Sequence, residues 1–342
     1  MGQNRINAIV QELGGPPEQL VVLRALQLGD LLCAVPALRA LRLAWPQCRI
    51  TLAGLPWAKG FVDRFRDYVD EFLEFPGYPG LPEYPFQTDR LPHFLAQAQA
   101  QHFDLALQLH GKGILTNPLT VLLGARLNAG FFAPGDYCPD PRFFLPYPEE
   151  LPEIRRPLHL LKHLGIALQG EHLEFPMTET DCRAGKLLVQ AQGLAKDYVC
   201  IHPGARNPER CWSPEHFACV GMYLARQGLH PVLTGVSTEA GLIRQVEATL
   251  RAPLSNLCGL TTLGSFAALL KGAKLLIAND TGVAHLAVAL EVPSVIIFTG
   301  SDPDRWAALD RERHRVVLPG SSLDMVLAAV QEVLNRGTCH AL

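Results

Sequence analysis

No apolar run in this sequence approaches the roughly 18 residues that a membrane-spanning helix needs, so no span is expected. The first nineteen residues are polar and marked by Pro and Gly, without the apolar core of a secretory signal. Charge of one sign is also lacking. A formal net charge of −3 over 342 residues does not suit a general nucleic-acid binder. The nine cysteines (Cys33, Cys48, Cys138, Cys182, Cys200, Cys211, Cys219, Cys258 and Cys339) are scattered, odd in number and never spaced C-x-x-C. That pattern argues against a disulfide framework or a zinc site and for reduced thiols in a cytoplasmic protein. G-x-G-x-x-G and G-x-x-x-x-G-K-[ST] are absent, which weighs against simple NAD or ATP chemistry. H-E-x-x-H is absent too, and no metal is expected.

What is present is apolar residue in quantity. Hydrophobic residues make up 48% and charged residues 18%, enough for a large core and too apolar for disorder. The length fits two domains of similar size. Short β-branched or Leu-rich runs alternate with longer helical stretches, the pattern of parallel βαβ units. Strands are expected at Leu20–Leu23, Ile50–Ala53, Glu71–Phe75 and Leu105–Leu109, with helices at Ala37–Ala44 and His93–Gln101. Residues 131–157 carry seven prolines and read as irregular; a helix over Leu158–Leu164 and a linker over Gly170–Thr180 follow. Alternation then restarts, with strands at Tyr198–Ile201, Pro231–Thr234, Lys274–Ala278 and Ser294–Phe298. Helices are expected at Pro214–Gln227, Glu239–Leu250, Leu263–Lys271, Gly282–Leu290 and Leu323–Leu334. The domains are placed at residues 1–170 and 171–342, both doubly wound α/β, with ligands beyond the C-terminal strand ends.

Several strand-to-helix junctions carry polar chemistry. Asn279-Asp280-Thr281-Gly282 joins an apolar strand to a helix start, whose unpaired N–H groups and partial positive charge can seat a diphosphate. The alternative is an ordinary N-cap, with His285 a packed histidine. His202-Pro203-Gly204-Ala205-Arg206 follows another strand, and Arg206 and Arg210 supply guanidinium groups suited to phosphate, or merely an exposed basic loop. Glu239 sits where a carboxylate can accept from a ribose diol, or can favour a helix dipole. Leu260 can frame a base. In the first half, Leu28-Gly29-Asp30 places a carboxylate near a helix start, as a base for a hydroxyl or as a dipole partner. Pro36 suits an early helical position better than an interior one. His110 and Lys112 end another strand, where Lys112 can meet an anionic acceptor or water.

Together these pieces resemble glycosyltransferase family 9, the bacterial heptosyltransferases. Leu28-Gly29-Asp30, His202-Pro203-Gly204-Ala205 with Arg210 and Trp212, Asn279 through His285, and Gly300-Ser301-Asp302-Pro303 carry the likeness, which spans Leu20 to Asp304. The resemblance implies a GT-B architecture: two Rossmann-like domains facing across a cleft, acceptor on the first and nucleotide sugar on the second, with the final helix returning to the first. It implies an inverting, metal-independent transfer of heptose from ADP-heptose to a lipopolysaccharide core on the cytoplasmic face of the inner membrane. Asp30 would be the general base, with His110 and Lys112 on the acceptor side. Arg210, where the family often has Lys, and Thr281, Gly282 and Val283 would hold the diphosphate, beside Gly204, Ala205 and Arg206. Asp280 would touch the donor sugar, Glu239 the ribose and Leu260 the adenine. Alternatives of the same fold are another nucleotide-sugar donor, a sugar-nucleotide 2-epimerase or a non-catalytic nucleotide-sugar binder. Trp45, Trp57 and Arg39–Arg42 are candidates for peripheral membrane contact, with core packing the alternative for the two tryptophans.

Overall fold

The apolar runs form strands and the stretches between them wind back as helices. The structure, a computed structural model, describes residues 3–194 and 197–339. It divides into two units, residues 1–172 and 173–342.

In the first unit, strands β1 (Gln19–Leu23), β2 (Arg49–Gly54), β3 (Glu71–Glu74), β4 (Leu105–Gln108), β5 (Leu127–Phe132) and β6 (Phe144–Pro146) form one sheet in the order β3-β2-β1-β4-β5-β6. Every pairing is parallel. The helices are α1 (Gln3–Leu13), α2 (Leu28–Ala44), α3 (Lys59–Arg64), α4 (Leu91–Ala100), α5 (Thr116–Leu122) and α6 (Arg155–His163). Strands β1 and β4 are buried along almost their whole length, as strands covered on both faces must be. Neighbouring β1 and β4 lead toward opposite edges of the sheet, so the strand order reverses between them, where doubly wound sheets place their ligands.

The second unit repeats the plan. Strands β7 (Tyr198–His202), β8 (His230–Leu233), β9 (Ser255–Asn256), β10 (Leu276–Asn279), β11 (Ser294–Ile297) and β12 (His314–Val317) run parallel in the order β12-β11-β10-β7-β8-β9. Its helices are α7 (Glu179–Ala191), α8 (Pro214–Arg226), α9 (Ala240–Thr249), α10 (Leu263–Gly272), α11 (Gly282–Ala289), α12 (Pro303–Trp306) and α13 (Leu323–Cys339). The reversal of strand order falls between β7 and β10, the two strands that carry the main sequence motifs.

Two expectations are corrected. Pro36 lies inside α2, because the helix begins at Leu28; residues Leu31 to Leu41 are all buried, and packing on every side offsets the missing backbone bond. Helix α7 occupies residues expected to be linker at their start. Thr178 and Asp181 form its capping box, and a Cβ on Gly185 would lie 2.5 Å from the Ala268 methyl, so glycine permits α7 to press against α10. Helix α13 packs on β11, β12 and α8, burying Val326, Val330 and Val333 beside Val317 and Val295. That stripe is spaced as one helix face.

Candidate functional site

The ends of β7 and β10 are tied together by one buried amide. Asn279 Nδ2 donates to Pro203 O at 2.6 Å, and its Oδ1 accepts from Trp212 N at 2.9 Å. This fixes the loop after β7 against the turn after β10. Arg210 is thereby brought onto Asp280: its Nη2 donates to Asp280 O at 2.8 Å and pairs with the Asp280 carboxylate, which also accepts from Ser301 Oγ at 2.5 Å. Asp280 is buried. The guanidinium therefore sits in an ion pair, not free in solvent. Arg210 Nε is nevertheless buried with no hydrogen-bond partner among the described residues.

Thr281 is the N-cap of α11, in an extended conformation. A capping threonine ordinarily accepts from an amide in the first turn. Here the side chain makes no such bond, and Thr281 Oγ1 is another buried atom without a partner among the described residues; Thr299 Oγ1, after β11, is a third. Gly282 and Val283 open the helix, where backbone N–H groups have no intrahelical acceptor. The junction thus gathers a guanidinium, helix-start amides and orphaned polar atoms. Those are donors waiting for an acceptor.

Glu239 stands against the loop after β7. Its Oε2 accepts from Val236 N at 2.9 Å and lies 3.9 Å from His202 Nε2, while His202 Nδ1 is 3.1 Å from Thr234 Oγ1. The three heavy atoms nearest a Cβ built on Gly204 all belong to the Glu239 carboxyl group and would overlap it. Gly204 is glycine so that this carboxylate can lie on the backbone. Burial pushes the Glu239 carboxyl upward and the His202 imidazole down to about 4. Leu260, 62% exposed, flanks an apolar groove of about 410 Å³ with Leu187, Leu188 and Ala191 of α7. Ala205 is half-buried and Arg206 exposed. His285 is buried against Trp306, as a packed histidine.

In the first unit, Asp30 is the third residue of α2. Its Oδ2 accepts from Gln27 N at 3.2 Å in a capping box, so the dipole-partner role is present in the structure. His110 and Lys112 separate. His110 is buried, its Nδ1 accepting from Ala25 N at 3.2 Å and its Nε2 facing Glu83 Oε1 at 3.6 Å. Lys112 is exposed and paired with Glu149. The membrane candidates turn inward. Trp45 is buried and Trp57 packs on the core, Arg39 donates to Gln169 O and His172 O, and Arg42 donates to Cys48 O and pairs with Asp70.

Sequence reasoning gave no role to Asn279, Ser301, Thr299 or Arg24, although a charged residue closing the apolar run Leu20–Leu23 was a usable signal. The sequence also contains one D-x-D, Asp302-Pro303-Asp304. Asp302 Oδ1 accepts from Asp304 N and caps α12. Among the described residues no three His, Cys, Asp or Glu side chains gather as metal ligands would, and no helix is long and apolar enough to cross a membrane. Eight described cysteines are free.

Comparison with known proteins meets this geometry. Residues 94–324, more than half of the chain, match the profile of glycosyltransferase family 9 (heptosyltransferase). Lipopolysaccharide heptosyltransferase 3 of Escherichia coli K12 is 28% identical over 157 residues, 45% of this chain and 45% of that protein. The match thus spans about half the length of that curated relative. A glycosyltransferase family 9 structure from Veillonella parvula superposes with a TM-score of 0.78 at 20% identity, covering 93% of this chain and 98% of that one. The E. coli heptosyltransferase WaaC with ADP gives 0.68 at 19% identity, over 93% and 99% of the two chains. At these identities the likeness is one of fold, the α/β GT-B class. From the profile match, this chain belongs to glycosyltransferase family 9.

Proposed function

We propose that the protein is an inverting, metal-independent glycosyltransferase that moves a heptose from ADP-heptose to a lipopolysaccharide core or related glycan. One observation carries the reading: Arg210, seated on Asp280 beside the opening of α11, with Arg210 Nε and Thr281 Oγ1 buried and without a hydrogen-bond partner among the described residues. Buried donors of this kind call for an anion, and a diphosphate satisfies several at once. The amides of Thr281, Gly282 and Val283 would take its oxygens, with Gly204, Ala205 and Arg206 lining the opposite loop. Glu239 would accept from the ribose, and the groove beside Leu260 offers the adenine an apolar face. A heptosyltransferase of the same fold was solved with ADP, which supports that nucleotide.

In this scheme Asp30 removes the proton from the acceptor hydroxyl as its oxygen attacks the anomeric carbon. The bond from that carbon to the diphosphate breaks on the opposite face, which inverts the centre. Negative charge grows on the departing ADP, and a fixed guanidinium and oriented amides stabilise it. Asp280 would orient the sugar hydroxyls, and His110 and Lys112 would serve the acceptor side. The acceptor would be met at the cytoplasmic face of the inner membrane.

Calorimetric titration of ADP, UDP and GDP into the purified protein without added metal tests the donor assignment. ADP should bind in preference, and Arg210→Ala should weaken it about tenfold or more, the loss of one charge-assisted contact. Preference for UDP or GDP would replace the donor. Binding of none would remove the donor site proposed here.

A further inference from the structure

Ionised side chains are rare in the interior of the first unit, yet three meet there. Arg24, Glu153 and Arg156 are 2%, 4% and 2% exposed. Arg24 Nη2 donates to Glu153 Oε1 at 3.0 Å, and Arg156 Nη1 donates to Glu153 Oε2 at 3.2 Å and to Tyr147 OH. Two cations share one carboxylate. Stability does not explain this: apolar residues of the same volume commonly do as well or better than a buried ion cluster.

The directions of the bonds supply a reason. Arg24 uses each guanidinium nitrogen on a different segment: Nε on Asp30 O at 2.9 Å, Nη1 on Leu109 O at 2.5 Å, Nη2 on Glu153. It therefore locks the head of α2 to the end of β4 and to the segment before α6. Arg156 in turn is pinned by Leu151 O at 2.9 Å and Glu149 O at 2.8 Å, with its guanidinium 4.7 Å from the Tyr147 ring centre. A lysine cannot make such a three-way planar fork. Arg24 is too deeply buried to touch a substrate, so any part it plays is through Asp30.

We propose that Arg24, itself set by Glu153 and Arg156, is the positioning residue for Asp30, fixing its place at the head of α2 and holding a cation close to it. The inference rests on Asp30 being the base. Burial opposes the charge on Arg24, but Glu153 and Asp30 outweigh it and hold the guanidinium above the ordinary arginine value. The other groups around this centre are Cys33, one turn along α2, His110 after β4 with the facing Glu83 from the loop between β3 and α4, and the exterior Lys112–Glu149 pair.

The test reads Asp30 directly. Full-length protein is labelled with 13C at the aspartate carboxyl carbon, and the Asp30 signal is identified by its loss in Asp30→Asn. Arg24→Met removes the cation, and the titration midpoint of Asp30 should rise by roughly one pH unit. Glu153→Gln removes the anion and should lower it. A purely structural role cannot move the midpoint in opposite directions; coincident midpoints in all three proteins would overturn the proposal. If Arg24→Met does not fold, Glu153→Gln alone decides the sign, and Arg24→Lys should keep the midpoint while the amides at the head of α2 exchange faster. The base reading fails separately, and the catalytic meaning of this inference with it, if Asp30→Asn still transfers heptose from ADP-heptose to heptose-deficient lipopolysaccharide.

Discussion

Gly204→Ala is the smallest change that probes the proposed donor site. Gly204 is absent from the positive-φ glycines, so its backbone conformation is open to alanine. Only space objects: the methyl would overlap the Glu239 carboxyl group. Either the loop after β7 shifts or Glu239 leaves, breaking its bond to Val236 N. Overpacking of this kind costs roughly 1–3 kcal/mol, which urea unfolding measures. Displacing the carboxylate proposed to hold the ribose should also weaken ADP about 10- to 100-fold by calorimetry. The control is Gly241→Ala in α9, where a Cβ meets nothing within 4 Å; it should be neutral or stabilise by up to ~1 kcal/mol. The decisive comparison is Gly204→Ala in a Glu239→Ala background. The methyl then has no carboxyl group to strike, and its stability cost should largely vanish, giving a coupling energy above ~1 kcal/mol. Additive costs would refute the argument, because they would place the strain elsewhere than on Glu239.

Other outcomes follow from the same site. Thr281→Val removes a hydroxyl that has no partner among the described residues, so unfolding should show no loss of stability, while ADP should bind several-fold more weakly; unchanged ADP affinity would mean that Oγ1 does not face the ligand. Burial holds both His202 and His314 down to about 4, so each stays neutral in the fold while the unfolded chain takes up a proton below about 6.5. Stability should therefore be full above pH 6.5 and be lost, by a few kcal/mol, as pH falls toward 4. His314→Asn should flatten part of that slope in melting curves, and an unaltered slope would exclude His314 as a source.

Much of the fold was legible because its signal is local. Tyr198–His202, His230–Leu233 and Ser294–Ile297 are apolar runs bounded by turn residues, and their strands formed within a residue or two of expectation. The elements that were missed have weak local signals. β9 is two residues long, β6 sits among prolines, and α7 is only partly buried apart from Gly185. Their place is decided by what they pair with. The candidate site divides the same way. Strand-end motifs marked Asp30, Arg210, Glu239 and Thr281, since a polar residue after an apolar strand is visible in one dimension. The partners were not visible. Arg210 meets Asp280, Glu239 lies on Gly204, and Arg24 reaches Glu153 across 129 residues of chain.

The sequence by itself determined two α/β units of parallel strands, the junctions that carry chemistry and the likeness to one enzyme family. Only the tertiary structure decided that Arg210 is held in an ion pair, that His110 and Trp45 turn inward, and that two arginines share one buried carboxylate. Hydrophobic periodicity is set by near neighbours along the chain. Which charges pair in the interior depends on side chains that meet only when distant segments pack, where burial makes an unpaired charge too costly to keep.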